Sequence, residues 1–134
     1  MSEAPQVDWR EVMAKAGPYP IEAFGFVREG LSYTAQRVHD DFEELADAGR
    51  HISGQELCMG LRDYAIDQYG MLAPTVLSHW RIRRTDDFGR IVYAMIEAGL
   101  MTQTDADSID DFRAVYDFRD AFSEDELRGA IGCN

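Results

Sequence analysis

The stretch Arg81–Met101, RIRRTDDFGRIVYAMIEAGLM, decides the fold. A basic link, Arg81–Arg84, runs into Thr85, a residue type suited to capping a helix N-terminus. Asp86 and Asp87 follow, where carboxylates favour the positive end of the helix dipole. Phe88, Ile91, Val92, Met95 and Ile96 then recur at helical spacing, Gly99 stops the helix, and Leu100 turns back to the core. The pattern predicts a helix over 85–98.

Two helices are predicted just before it. Ser53 and Glu56 have capping-box spacing, Leu57, Leu61, Tyr64 and Ala65 form an inward stripe, and Gly70 ends the run, giving a helix over 53–69. MLAPTVLSHWRI gives a shorter one over 71–80, with Pro74 tolerated in its first turn and Leu72, Val76, Leu77 and Trp80 inward. After Leu100, the alternation in FRAVYDF admits a strand at Phe112–Phe118. Three helices followed by a short β-hairpin make a winged-helix-like C-terminal half, a helix-turn-helix-like unit over 53–118 with a possible wing.

Outward from this unit the chain reads as one domain, 1–134, mainly α. Residues 1–20 hold a short N-terminal helix closed by Gly17 and a break at Pro18 and Pro20. The span 21–52 holds a long helix over 21–47, with Phe24, Leu31, Val38 and Leu45 seven residues apart and Val27 and Phe42 at intermediate spacing. Gly25 and Gly30 weaken that helix and admit a break near Gly30. Residues 119–134 are a C-terminal tail, in which Ser123 and Glu126 have the spacing of a second capping box. Between Asp105 and Glu126, Phe112, Tyr116, Phe118 and Phe122 are interleaved with nine carboxylates, so the aromatics are expected to dock on the helices while the acids face water.

Charge narrows the function classes. The 134 residues carry a formal net charge of −12. Such a chain is repelled by phosphate backbones and anionic lipid, so nucleic acid is disfavoured as a partner. No apolar run reaches membrane-spanning length and the start of the chain has no apolar signal core, so the expected location is the cytoplasm. Asp86 and Asp87, at the front of a would-be recognition helix, and the acids of a would-be wing would oppose DNA.

No catalytic, cofactor or metal motif stands out. DADSIDD lacks the glycine and terminal glutamate of an EF-hand loop, since Asp110 falls at position six. His39, His51 and His79 have no second ligand at metal spacing. Cys58 is most simply a core thiol and Cys133 a tail thiol. What remains is the basic-aromatic junction around Trp80. His79, Arg81, Arg83, Arg84 and Arg90 are the candidate partner-binding residues, weighed against the plainer account of a solvated link neutralising nearby acids.

PYPIEAFGFVREGLSYTAQRVH, the run from Arg50 to Met101, and DDFRAVYDFRDAF together resemble the Minf family of small bacterial proteins, over roughly residues 18–122. The resemblance implies a bacterial cytosolic protein and carries no activity, cofactor or catalytic residue across. The leading expectation is a non-enzymatic acidic protein-interaction or adaptor domain whose partner is another protein. The alternatives are a winged-helix DNA-binding regulator and a small enzyme working through Cys58 or a His–carboxylate pair.

Overall fold

The computed structural model describes residues 9–41, 52–101 and 108–131. Its helices are α1 (Trp9–Ala16), α2 (Ile21–Asp41), α3 (Gly54–Tyr69), α4 (Ala73–His79), α5 (Thr85–Glu97), α6 (Phe118–Ala121) and α7 (Glu124–Ile131), with 3-10 turns at Gly70–Leu72 and Ile109–Phe112. The fold is mainly helical, and no strand occurs among the described residues. The expected long helix is continuous through Gly30 to Asp41, and its predicted continuation to 47 lies outside the described residues.

Gly30 is retained within α2 because α3 needs the space. A Cβ there would overlap the Leu61 side chain, and a Cβ on Gly60 would overlap Thr34. The two helices therefore interlock, each receiving the other's side chain on a glycine. Thr34 donates its hydroxyl to the Gly30 carbonyl at 2.7 Å, so its buried polar atom is satisfied within its own helix.

The core gathers on this crossing. Phe24, Val27, Leu57, Leu61, Leu77, Phe88, Ile91, Val92 and Met95 are buried as the apolar spacing predicts, and Leu31, Tyr64, Trp80 and Leu100 pack partly buried against them. Phe26, off the seven-residue repeat, is also buried; Tyr64 and Trp80 lie 5.5 Å from it, ring centroid to centroid. The first half of α2 is thus enclosed on more than one face. Leu72 was expected inside but is 63% exposed, with Ala73 buried in its stead. The 3-10 turn ahead of α4 rotates the inward face by about one residue.

Two helix ends obey the capping chemistry in the sequence. Ser53 accepts from Glu56 N–H at 3.1 Å while Glu56 accepts from Ser53 N–H at 3.0 Å. Ser123 accepts from Glu126 N–H at 3.2 Å, but the Glu126 carboxylate turns to Arg62 at 3.0 Å. Arg62 also donates to the Ala121 carbonyl at 3.1 Å, tying the C-terminal helices to α3.

The strand expected at Phe112–Phe118 is absent, and with it the β-hairpin wing. A 3-10 turn ends at Phe112, a bend follows, and α6 starts at Phe118. Thr85 explains this. It is the first residue of α5 rather than its cap, and it is fully buried. Its hydroxyl donates to the Phe112 carbonyl at 2.7 Å and accepts from Val115 N–H at 3.0 Å. Asp86 accepts from Ala114 N–H at 3.2 Å. Backbone groups that a β-ladder would require are already bonded to α5.

Phe112 itself fits a glycine socket. A Cβ on Gly54 would stand 2.9 Å from its ring, and one on Gly89 would stand 2.8 Å from its Cβ. Phe112 and Phe122 are buried, Tyr116 and Phe118 pack against the core, and Asp110, Asp117, Asp120 and Glu124 are exposed, as the interleaving predicts. Thr85→Val keeps the shape but leaves the Phe112 carbonyl and Val115 N–H unpaired. It is expected to lower unfolding stability by about 2–4 kcal/mol, whereas Thr85→Ser should stay within about 1 kcal/mol of wild type; urea denaturation measures both.

Candidate functional site

The site candidates sit where α4 turns into α5. Trp80 closes α4, Arg81 N–H bonds the Ser78 carbonyl at 2.9 Å, and Ile82 N–H bonds the Leu77 carbonyl at 2.9 Å. This is a Schellman termination, with Ile82 and Leu77 both fully buried beneath it. Arg81 takes the left-handed position, φ 67°, where glycine is the usual occupant. Gly99 holds the equivalent position after α5, φ 81°, with Leu100 N–H on the Met95 carbonyl at 2.9 Å.

Asp87 then fixes the start of α5. Arg84 is the N-cap and has no side-chain acceptor to offer. The Asp87 carboxylate accepts instead from Arg83 N–H at 2.8 Å and Arg84 N–H at 3.1 Å. Its other oxygen accepts from the Tyr19 hydroxyl at 2.5 Å and from Arg90 at 3.3 Å. Asp87 is only 6% exposed, so a carboxylate expected to face outward against phosphates is turned into the body. Asp86 turns the other way, accepts from Ala114 N–H and stays half-buried. The sequence signal was available: an aspartate three residues after an uncapping N-cap can reach back to its N–H.

The five candidate residues divide into three places. His79 and Arg81 line an open cavity of about 440 Å³ with Pro18, Tyr19, Pro20 and Trp80. Arg83 and Arg84 line a second cavity of about 570 Å³, joined there by Arg113, Tyr116 and Phe118. Arg90 belongs to neither, being engaged with Asp87 and the Tyr19 hydroxyl. Arg113, placed by the turn after Phe112, is the residue that the sequence pattern did not nominate; its neighbour Ala114 is left-handed at φ 49°. Tyr116 and Phe118 stack at 5.7 Å and 27°, and the Tyr116 hydroxyl donates to the Cys58 carbonyl at 2.8 Å. Asp86 and Asp117 complete the wall, and Asp117 accepts from Arg119 N–H at 2.8 Å.

The residues singled out for catalysis are placed otherwise. Cys58 is fully buried, and burial, helped by the Asp86 charge, pushes its thiol up to about 12, so it stays a neutral thiol at physiological pH. Cys133, His51 and the side chain of His39 lie outside the described residues. His79 is exposed at the end of α4. Among the described residues no helix is long and apolar enough to cross a membrane. The fold and the two cavities define a helical domain with an arginine-bearing turn. No family profile, curated protein or solved structure matches the chain.

Two expected outcomes follow from this geometry. Arg81→Gly relieves the left-handed backbone at an exposed side chain and should raise stability by roughly 0.5–1 kcal/mol in urea denaturation. Alkaline pH should act the other way. Burial, then the bond to Asp87, lifts the Tyr19 phenol from 10.0 to about 12, and the Cys58 thiol rises from 9.0 to about 12. The unfolded chain therefore loses these protons first. Their contribution is complete below pH 9 and is lost as pH climbs towards 12. Denaturation midpoints measured from pH 8 to 12 should fall, and Tyr19→Phe should make the fall shallower while lowering the midpoint at pH 8.

Proposed function

We propose that the protein is a non-enzymatic, cytoplasmic interaction domain that holds another protein through the arginine-bearing turn between α4 and α5. One observation carries the reading: Arg83, Arg84 and Arg113 come from two separate stretches of chain and line one cavity beside Tyr116 and Phe118. Arginine and aromatic side chains are enriched where proteins bind one another, because both offer large contact area with directional bonding. Arg113 is paired with Asp110 at 3.3 Å, so the recess is arginine-bearing without being net basic, and its directional bonds orient a partner more than its charge attracts one.

A regulator that binds DNA is the second reading, favoured by the burial of Asp87, which removes one acid from the face of α5 that would approach phosphates. The same material tests both. The wild-type protein and the Arg83→Gln/Arg84→Gln/Arg113→Gln variant are used to capture proteins from the native lysate, with cross-links mapped by mass spectrometry. A partner cross-linked to residues 81–84 or 113–118, and depleted at least tenfold with the variant, is the expected result. Identical captures by the two proteins refute the interaction reading. Retardation of duplex DNA at low salt that disappears in the variant replaces it with the regulator.

A further inference from the structure

The chain after α5 is fastened to the body in two unequal halves. Gly54, Cys58 and Arg62 stand four residues apart on one stripe of α3, and the C-terminal chain runs along it. Phe112 sits against Gly54, the Tyr116 hydroxyl bonds the Cys58 carbonyl, and Arg62 reaches Ala121 and Glu126. The front half, 112–116, is bonded to α5 as well, through Thr85 and Asp86. Among the described residues, α6 and α7 are hydrogen-bonded to the earlier helices through Arg62 alone, at 3.1 Å to the Ala121 carbonyl and 3.0 Å to the Glu126 carboxylate.

The apolar hold on this second half is small. Phe122 and Leu127 are its large buried side chains, and Phe118 packs partly buried beside Phe88. Residues 117–128 carry five carboxylates against two arginines, on a chain whose net charge is −12, so the field of the molecule opposes their docking. Arg62 supplies the opposite charge at the contact. Its guanidinium is steadied at 2.9 Å by Asp63, which Arg37 of α2 also holds at 2.9 Å. Glu126 closes this alternating series, and to do so it forgoes the capping box that its spacing from Ser123 offers.

We propose that α6 and α7 form a strap that leaves the body as one unit while α2, α3, α5 and the Phe112 socket stay folded, and that Arg62 is its latch. Opening bares the apolar seat of Phe122 and Leu127. It also takes Asp117 and Phe118 out of the wall of the arginine-bearing cavity, so the strap sets when that cavity is complete. This consequence for a partner rests on the interaction reading above; the strap itself does not.

Native-state hydrogen exchange of the full-length protein, followed amide by amide at urea concentrations below the unfolding transition, tests the strap. The bonded amides of Ala121, Phe122 and Leu127 are expected to share one opening free energy, lower than that of α3 and α5. Its urea slope should be above zero and below the global slope. Arg62→Met, which keeps the apolar stem, should speed exchange of these three amides at least tenfold, and Glu126→Gln should speed them by a smaller factor. Val27→Ala, in the core of α2, should speed exchange in α3 and leave the strap amides unchanged, because that contact survives strap opening. Slopes near zero mean residue-by-residue fraying and overturn the proposal. A free energy and slope equal to those of α3 overturn it too, as does equal acceleration of both regions by Val27→Ala. Unchanged strap rates in Arg62→Met refute the latch. No partner enters this measurement, so its failure is distinct from failure of the capture experiment.

Discussion

The carboxylate of Asp87 is the junction on which the rest of the molecule hangs. One oxygen holds the N–H groups of Arg83 and Arg84, which sets the direction in which α5 leaves the turn. The other receives the hydroxyl of Tyr19, which brings the link between α1 and α2 onto the same helix end. Two residues earlier, Thr85 reaches the opposite way and binds the segment after the 3-10 turn Ile109–Phe112. A single helix start therefore organises chain from before α2 and from after α5. Its polar groups are buried and mutually satisfied, which makes the arrangement specific as well as stable.

That junction also explains where the sequence was legible. Periodicity and capping chemistry are local, so α3 with its Ser53–Glu56 box, the Gly70 and Gly99 terminations and the apolar face of α5 could be read directly. Thr85, Asp86 and Asp87 follow one another in a pattern that local rules assign to a cap and an acidic first turn. Their observed roles depend on Tyr19 and on residues 112–115, distant in sequence, and no spacing rule encodes that. The wing failed for the same reason. Val115, Tyr116 and Phe118 alternate as a strand would, but the alternation arises from docking on a helical body whose hydroxyl and carboxylate have already taken the backbone. Gly30 was legible as an anomaly inside a helix, though the side chain it admits was not.

The candidate site shows the same division. Arg81, Arg83, Arg84 and Arg90 stand close in sequence and look like one basic cluster, yet they face two cavities and an internal carboxylate. Arg113 joins Arg83 and Arg84 only because Phe112 is locked in place. At physiological salt the screening length is about 8 Å, so a ligand inside a small recess meets its walls more than the acidic surface around them. Long-range attraction and contact recognition can then have opposite signs, which favours slow, selective encounter over steering.

The glycine socket for Phe112 has a consequence in time. Its two walls, Gly54 and Gly89, lie upstream of the plug in the order of synthesis. At about 5–20 residues per second, a ribosome delivers Phe112 roughly one to five seconds after Gly89. During that interval α3 and α5 can meet, but the hollow between them stays open to solvent. The hollow that Gly54 and Gly89 shape is thus filled by a segment made later than both.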